Sequence, residues 1–324
     1  MSASRPLMTR PGQYVPPPTI HPALRRRLVE QGTVDNEIQR DIRQGSRHAL
    51  ARGIYLDQEN ANAAQWPEDR YRSLVAGVAE RLSSETVISH ISAAAVWGLP
   101  FWGMRFDSVH VTKPVRSGTH RSALVHVHST TASPTVATVH GIRVTAPPRT
   151  VIDCARMLDF ERAVALVDAA LHNHLATPAD LLEELDVAAR WHGVARARSA
   201  VRFGDGLSES VGESRSRVLL FRHGLTPPAV QYEVHDHRGR LIARSDFAYP
   251  EANVLAEFDG RAKYGRLLKP GKSAGDAAFE EKLREDALRR LGWMVVRWTW
   301  ADLNAPEVIL ARLRAALSMS RAHR

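Results

Sequence analysis

The chain has 324 residues, 44% of them hydrophobic, which is enough to bury the cores of two or more domains. A formal net charge of +9 and a pI near 10.2 favour a polyanionic partner. A single cysteine, Cys154, excludes an intrachain disulfide, no run approaches the roughly 20 apolar residues of a membrane-spanning helix, and no signal-peptide core opens the chain, so a cytoplasmic protein is expected.

Residues 1–22 hold six prolines and few apolar anchors, and read as a disordered leader. Between 23 and 65, Ile38 and Ile42 mark a helix over Asp35–Gly45 that leads through the basic SRHALARGIYL into a strand. Helix, basic turn and strand suit a winged-helix-like DNA-binding module, in which Arg40, Arg43, Arg47 and Arg52 would contact phosphate and position the module. A solvated basic face is the alternative.

A region over 66–203 follows. Leu74, Val78 and Leu82 predict a helix from Pro67, and a second covers Ser89–Gly98. Strand-like runs at Ser108–Thr112, Leu124–His128 and Gly141–Thr145 suit a half-buried antiparallel sheet, with Val125 and Val127 on one face and His126 and His128 on the other. Two histidines so placed are a candidate metal pair that His110 or His140 would join, although no carboxylate or cysteine in the sequence completes the set. Ser89, His90 and Ser92 lie together without an acid at a plausible distance. Residues 149–203 are helical, Thr177-Pro178 reads as an N-cap, and Gly204–Gly206 as a linker.

The last region, 207–324, carries the acids. Ser210 caps a helix bearing Glu213, and strands follow at Val230–Val234, around Asp246 and around Glu257 and Asp259. Pro250 and Asn253 bound the loop between the last two, so Tyr249 should face Val254, Asp246 should face Glu257 and Arg244 should face Asp259. Opposed carboxylates about 5 Å apart repel, and a divalent cation between them resolves the conflict. Asp246 and Glu257 would thus hold Mg2+ for phosphodiester hydrolysis, the three acids sharing a face. A helix at Ala277–Leu291 burying Phe279, Leu283, Ala287 and Leu291, a strand to Trp298 and a helix from Ala305 complete an α/β/α sandwich. Lys269 and Lys272 lie in a lysine- and glycine-rich loop expected to lie over nucleic acid.

Two resemblances join these readings. ISHISAAAVWGLP and GIRVTAPPRTVIDCAR resemble the N-terminal region of AbiEi-type antitoxins of type IV toxin–antitoxin systems. Glu213, Gln231, Asp246, the EFDG segment, Glu281, Arg284, Gly292 and VVRWTWADL are similar to the Vsr-like branch of the PD-(D/E)XK restriction-endonuclease-like superfamily. The second resemblance implies an α/β nuclease fold and a Mg2+-dependent endodeoxyribonuclease. Glu213, Asp246, Glu257, Asp259 and Lys263 would then be catalytic, Glu213 orienting water and Lys263 contacting phosphate. Asp259 stands where the superfamily has lysine, and Lys263 where the branch has histidine. The first resemblance implies a non-catalytic autorepressor with a cognate toxin, the nuclease fold kept as a scaffold.

Overall fold

The computed structural model describes residues 14–114, 120–130, 133–260 and 274–322. Lys263, Lys269 and Lys272, with the loop expected around them, lie outside the described residues. The chain divides into two compact units, Met1–Gly204 and Asp205–Arg324.

The first unit opens with β1 (Ala23–Leu24), α1 (Arg25–Glu30), α2 (Asp35–Gln44), β2 (Arg47–Ala51), β3 (Ile54–Asp57) and α3 (Gln58–Ala63). The strands form an antiparallel sheet in the order β1-β3-β2. The Glu37 carboxylate accepts the Val34 N–H at 3.1 Å at the start of α2, and Gly45, at φ +77°, ends it. Ile38, Leu24, Ile54 and Leu56 are buried, so the amphipathic pattern read from the sequence is the face by which α2 is anchored. The single expected strand is a hairpin turning at Gly53.

The reading of 1–22 as a leader is corrected for its last part. The Tyr14 hydroxyl donates to the Trp97 carbonyl and Pro17 is buried. A Cβ on Gly98, itself at φ +71°, would come within 2.4 Å of the Pro17 ring.

The unit continues with α4 (Pro67–Ala79), β4 (Val87–Ile88), α5 (His90–Val96), β5 (Val109–Pro114), β6 (His120–Arg121), β7 (Val125–Thr130), β8 (Val136–Val139), β9 (Ile142–Thr145), α6 (Pro147–Met157), α7 (Phe160–His172), α8 (Pro178–Val187) and α9 (Val194–Phe203). The sheet runs β6-β7-β5-β4-β9-β8 and is mixed, because β5 pairs parallel with β7 and β4 with β9. Alternation in sequence does not distinguish parallel from antiparallel neighbours, which is why an antiparallel sheet was expected. Every residue of α5 is buried, and α6 and α7 bury Val151, Ile152, Ala155, Val164 and Val167. Helices α4 and α5 thus pack against β5 and β9 of the sheet.

The second unit comprises α10 (Val211–Arg222), β10 (Ala229–His235), β11 (Leu241–Tyr249), β12 (Val254–Asp259), α11 (Ala274–Arg290), β13 (Met294–Thr299) and α12 (Pro306–Ala322). Its sheet runs β10-β11-β12-β13, antiparallel except for the parallel β12/β13 pair. Phe247, Val254, Ala256, Phe258 and Trp298 pack with Leu220 of α10 and Leu313 of α12 on one face, whereas Ala248 and Leu255 pack with Leu288 of α11 on the other. The result is three layers. Trp298 stacks on Phe247 and donates its indole N–H to Ser216 Oγ at 2.8 Å, so it is core rather than a base-stacking platform. Among the described side chains of α11 the buried one is Leu288. Phe279 and Leu283, expected inside, are 63% and 50% exposed.

Candidate functional site

The hairpin of the second unit keeps the expected register where its ladder runs: Tyr249 faces Val254, Ala248 faces Leu255 and Phe247 faces Ala256. Asn253 closes the loop at φ +48°, the left-handed conformation that asparagine tolerates. The recorded ladder ends at Phe247. Beyond it Asp246 Oδ2 accepts the Phe258 N–H at 2.8 Å and Ser245 Oγ donates to the Ala256 carbonyl at 3.2 Å.

Glu257 and Asp246 therefore have different company. Both Glu257 oxygens accept from Arg284, each at 2.9 Å, and Oε2 also accepts from Arg297 Nε at 3.0 Å. Arg284 and Arg297 also bind Glu281 at 2.7 and 2.5 Å. Burial raises the Glu257 carboxyl, but the two guanidiniums outweigh it and hold the group below the usual carboxylate range. Arginine supplies the positive charge at Glu257 in this structure, where Mg2+ was expected to bridge it to Asp246. Arg244, expected opposite Asp259, bonds Glu209 at 2.5 Å instead. Asp259 lies at the end of β12, in register with Thr299.

Glu213 and Asp246 are the acids that the fold does bring into electrostatic contact. Glu213 Oε1 accepts from the Ser210 hydroxyl at 2.7 Å, and Oε2 from the Glu209 N–H and the Gln231 amide at 2.9 Å each. Burial, then the Asp246 charge, push its carboxyl up to about 7. Gln231 takes φ +52°, a conformation uncommon within a strand, to reach it. Lys263 lies outside the described residues.

In the first unit the two motifs quoted above meet. Asp153, fully buried, accepts from Arg149 Nε at 2.7 Å and Arg156 Nη1 at 3.0 Å, and His90 Nε2 lies 3.8 Å away. Both guanidiniums lie over the Trp191 ring, at 4.2 and 5.0 Å from its centroid. Burial raises the Asp153 carboxyl against the pull of the two arginines. An acid is thus near His90, contrary to expectation, and its signal was legible: Arg149, Asp153 and Arg156 are spaced four and three apart, on one helix face. The set is not a nucleophilic one. His90 Nδ1 is 2.9 Å from Ser89 Oγ, yet Ser89 and Asp153 are sealed from solvent. Ser92 Oγ accepts the His110 N–H at 2.7 Å and pairs with the Tyr71 hydroxyl at 2.6 Å, tying α5 to β5 and α4.

Beside this cluster the parallel register sets His110 against His126, and the two-residue strand period brings His128 to the same face. His110 Nδ1 and His128 Nε2 are 2.9 Å apart, and the His90 ring stacks on His128 at 3.6 Å. Burial, together with the neighbouring histidines, pushes His128 down to about 2 and holds His90 well below its ordinary value. His140, the other histidine considered, sits at the β8–β9 turn.

Of the arginines expected on nucleic acid, Arg40, Arg43 and Arg52 are exposed. Arg47 is half-buried and pairs with Asp41 at 3.2 Å. Among the described residues no helix is long and apolar enough to cross a membrane.

Comparison with known proteins bears on the first unit. Residues 87–203 match the AbiEi antitoxin C-terminal domain, so the resemblance read as the antitoxin's N-terminal region belongs to its C-terminal one. Two uncharacterized proteins of Mycobacterium tuberculosis, from strains CDC 1551 and H37Rv, are each 32% identical over 185 residues, 56% of this chain. The match covers 65% of the length of each. Both motifs fall in the matched span, and across residues 87–203 the chain carries an AbiEi antitoxin domain.

Proposed function

We propose that this chain is a DNA-binding antitoxin-type regulator that represses its own promoter and neutralises a cognate toxin, its second unit serving as a binding scaffold rather than a nuclease. The antitoxin domain over 87–203 is the observation that carries this reading. Two further features support it. The β1-α1-α2-β2-β3 segment has a helix and hairpin of winged-helix type, with Arg40 and Arg43 exposed on α2 and Arg52 beside the hairpin turn. In the second unit, Glu257 is paired with Arg284 and Arg297, so the charge of one carboxylate that Mg2+ would bridge is already compensated.

Binding of the chain's own upstream DNA, followed by fluorescence anisotropy across a salt series, tests the reading. Wild type should bind with a steep salt dependence, and Arg40→Ala/Arg43→Ala should weaken it and reduce the log–log slope by about 1.8, two contacts at roughly 0.9 each. Identical affinity and slope in the two proteins would remove α2 from the interface.

The nuclease reading keeps one specific support, the buried Glu213, whose carboxyl is raised by burial and by the charge of half-buried Asp246. Under that reading Glu213, Asp246, Glu257, Asp259 and Lys263 would be the working set, with Mg2+ held by Asp246 and Glu257 as the cofactor.

A further inference from the structure

The described residues of the second unit present no group of three ligating side chains, but β5 and β7 of the first unit do. We propose that His110, His126 and His128 form a binding site for a divalent transition metal of the zinc class, held by three imidazoles with a fourth position left to water or an exogenous ligand. The ligating nitrogens of the three rings all lie within 4.8 Å of one another. Tetrahedral coordination with Zn–N near 2.0–2.1 Å places nitrogens about 3.3 Å apart, so modest ring rotations suffice.

The backbone fixes this convergence. Parallel pairing places His110 beside His126, and the strand period places His128 over His126, with ring centroids 4.9 and 4.3 Å apart. His110 is buried, whereas His126 and His128 are half-buried and leave a route of entry. The surroundings argue for a ligand. His110 Nδ1 and His128 Nε2 already lie 2.9 Å apart, close to the separation that a shared tetrahedral ion imposes. Oxygen-preferring Mg2+ and Ca2+ do not suit three nitrogen donors, whereas Zn2+, Ni2+, Co2+ and Cu2+ do. His90, stacked on His128 and 3.8 Å from the Asp153 carboxylate, supplies a wall that fixes the His128 ring plane.

The site is testable on the full chain without an affinity tag. Zn2+ titrated in competition with a chromophoric chelator should bind with one tight equivalent. Because the chain holds 15 histidines, the control is the exposed His237→Asn, which should bind as wild type, whereas His126→Asn should bind at least about 100-fold more weakly. Co2+ added to wild type should give the intense visible bands of a four-coordinate ion, a readout that does not depend on a variant folding. Absence of a tight equivalent in wild type, equal affinity in His126→Asn, or a weak octahedral Co2+ spectrum would each overturn the proposal.

Discussion

Single side chains decide how the acids of the second unit behave. Glu257 is bound by Arg284 and Arg297 in a half-buried setting, with side-chain exposures of 13%, 25% and 33%. Glu257→Ala would remove one of the two carboxylates that Arg284 and Arg297 share, leaving them Glu281. A cost of about 2–3 kcal/mol is expected, between a surface pair and a buried one, and urea denaturation of the variant measures it. Glu213 behaves oppositely. Its carboxyl is raised from an ordinary value of 4.5 to about 7, so between these the folded chain keeps a proton that the unfolded chain has released. Stability from this group is fully present below pH 4.5 and is lost as pH rises to about 7, by up to roughly 3 kcal/mol. Glu213→Gln should flatten that slope when denaturation is repeated from about pH 4 to about pH 7.5, each end being roughly half a unit beyond the titration limits. In the first unit, Asp153→Asn would leave half-buried Arg156 without its carboxylate and buried Arg149 with only Glu184, 3.7 Å away, and a loss of about 3 kcal/mol is expected in thermal or urea melts.

Elements were legible in the sequence where the signal is local. Pro250 and Asn253 gave the hairpin loop and with it the Tyr249–Val254 register; Ser210 gave the start of α10, its hydroxyl accepting the Glu213 N–H at 3.2 Å. What stayed hidden is long-range. Arg284 and Arg297 reach Glu257 from 27 and 40 residues away, on a helix and a parallel strand whose placement no spacing announces. The histidine pair on β7 was legible from its two-residue period, but His110 joins it only through parallel pairing with β5. On α11 the helical period was right and the buried stripe was not, because Leu288 rather than Phe279 and Leu283 faces the sheet. Gly98 illustrates an element held by a distant segment. A side chain there meets both a left-handed backbone and Pro17, so Gly98→Ala should lower the melting temperature by several degrees, about 1–3 kcal/mol for strain and overpacking together.

At the scale of the molecule, the proposed grip on nucleic acid rests on the basic balance of the chain, the exposed arginines of α2 and the antitoxin domain over 87–203. The compensated Glu257 is what favours a scaffold over a nuclease in that proposal. The most direct test is incubation of the full chain with its own upstream DNA and with supercoiled plasmid, with and without Mg2+, scoring binding and strand scission in the same samples. The account predicts a salt-sensitive complex and intact strands in both conditions. Scission that requires Mg2+ and disappears in Asp246→Asn would contradict it.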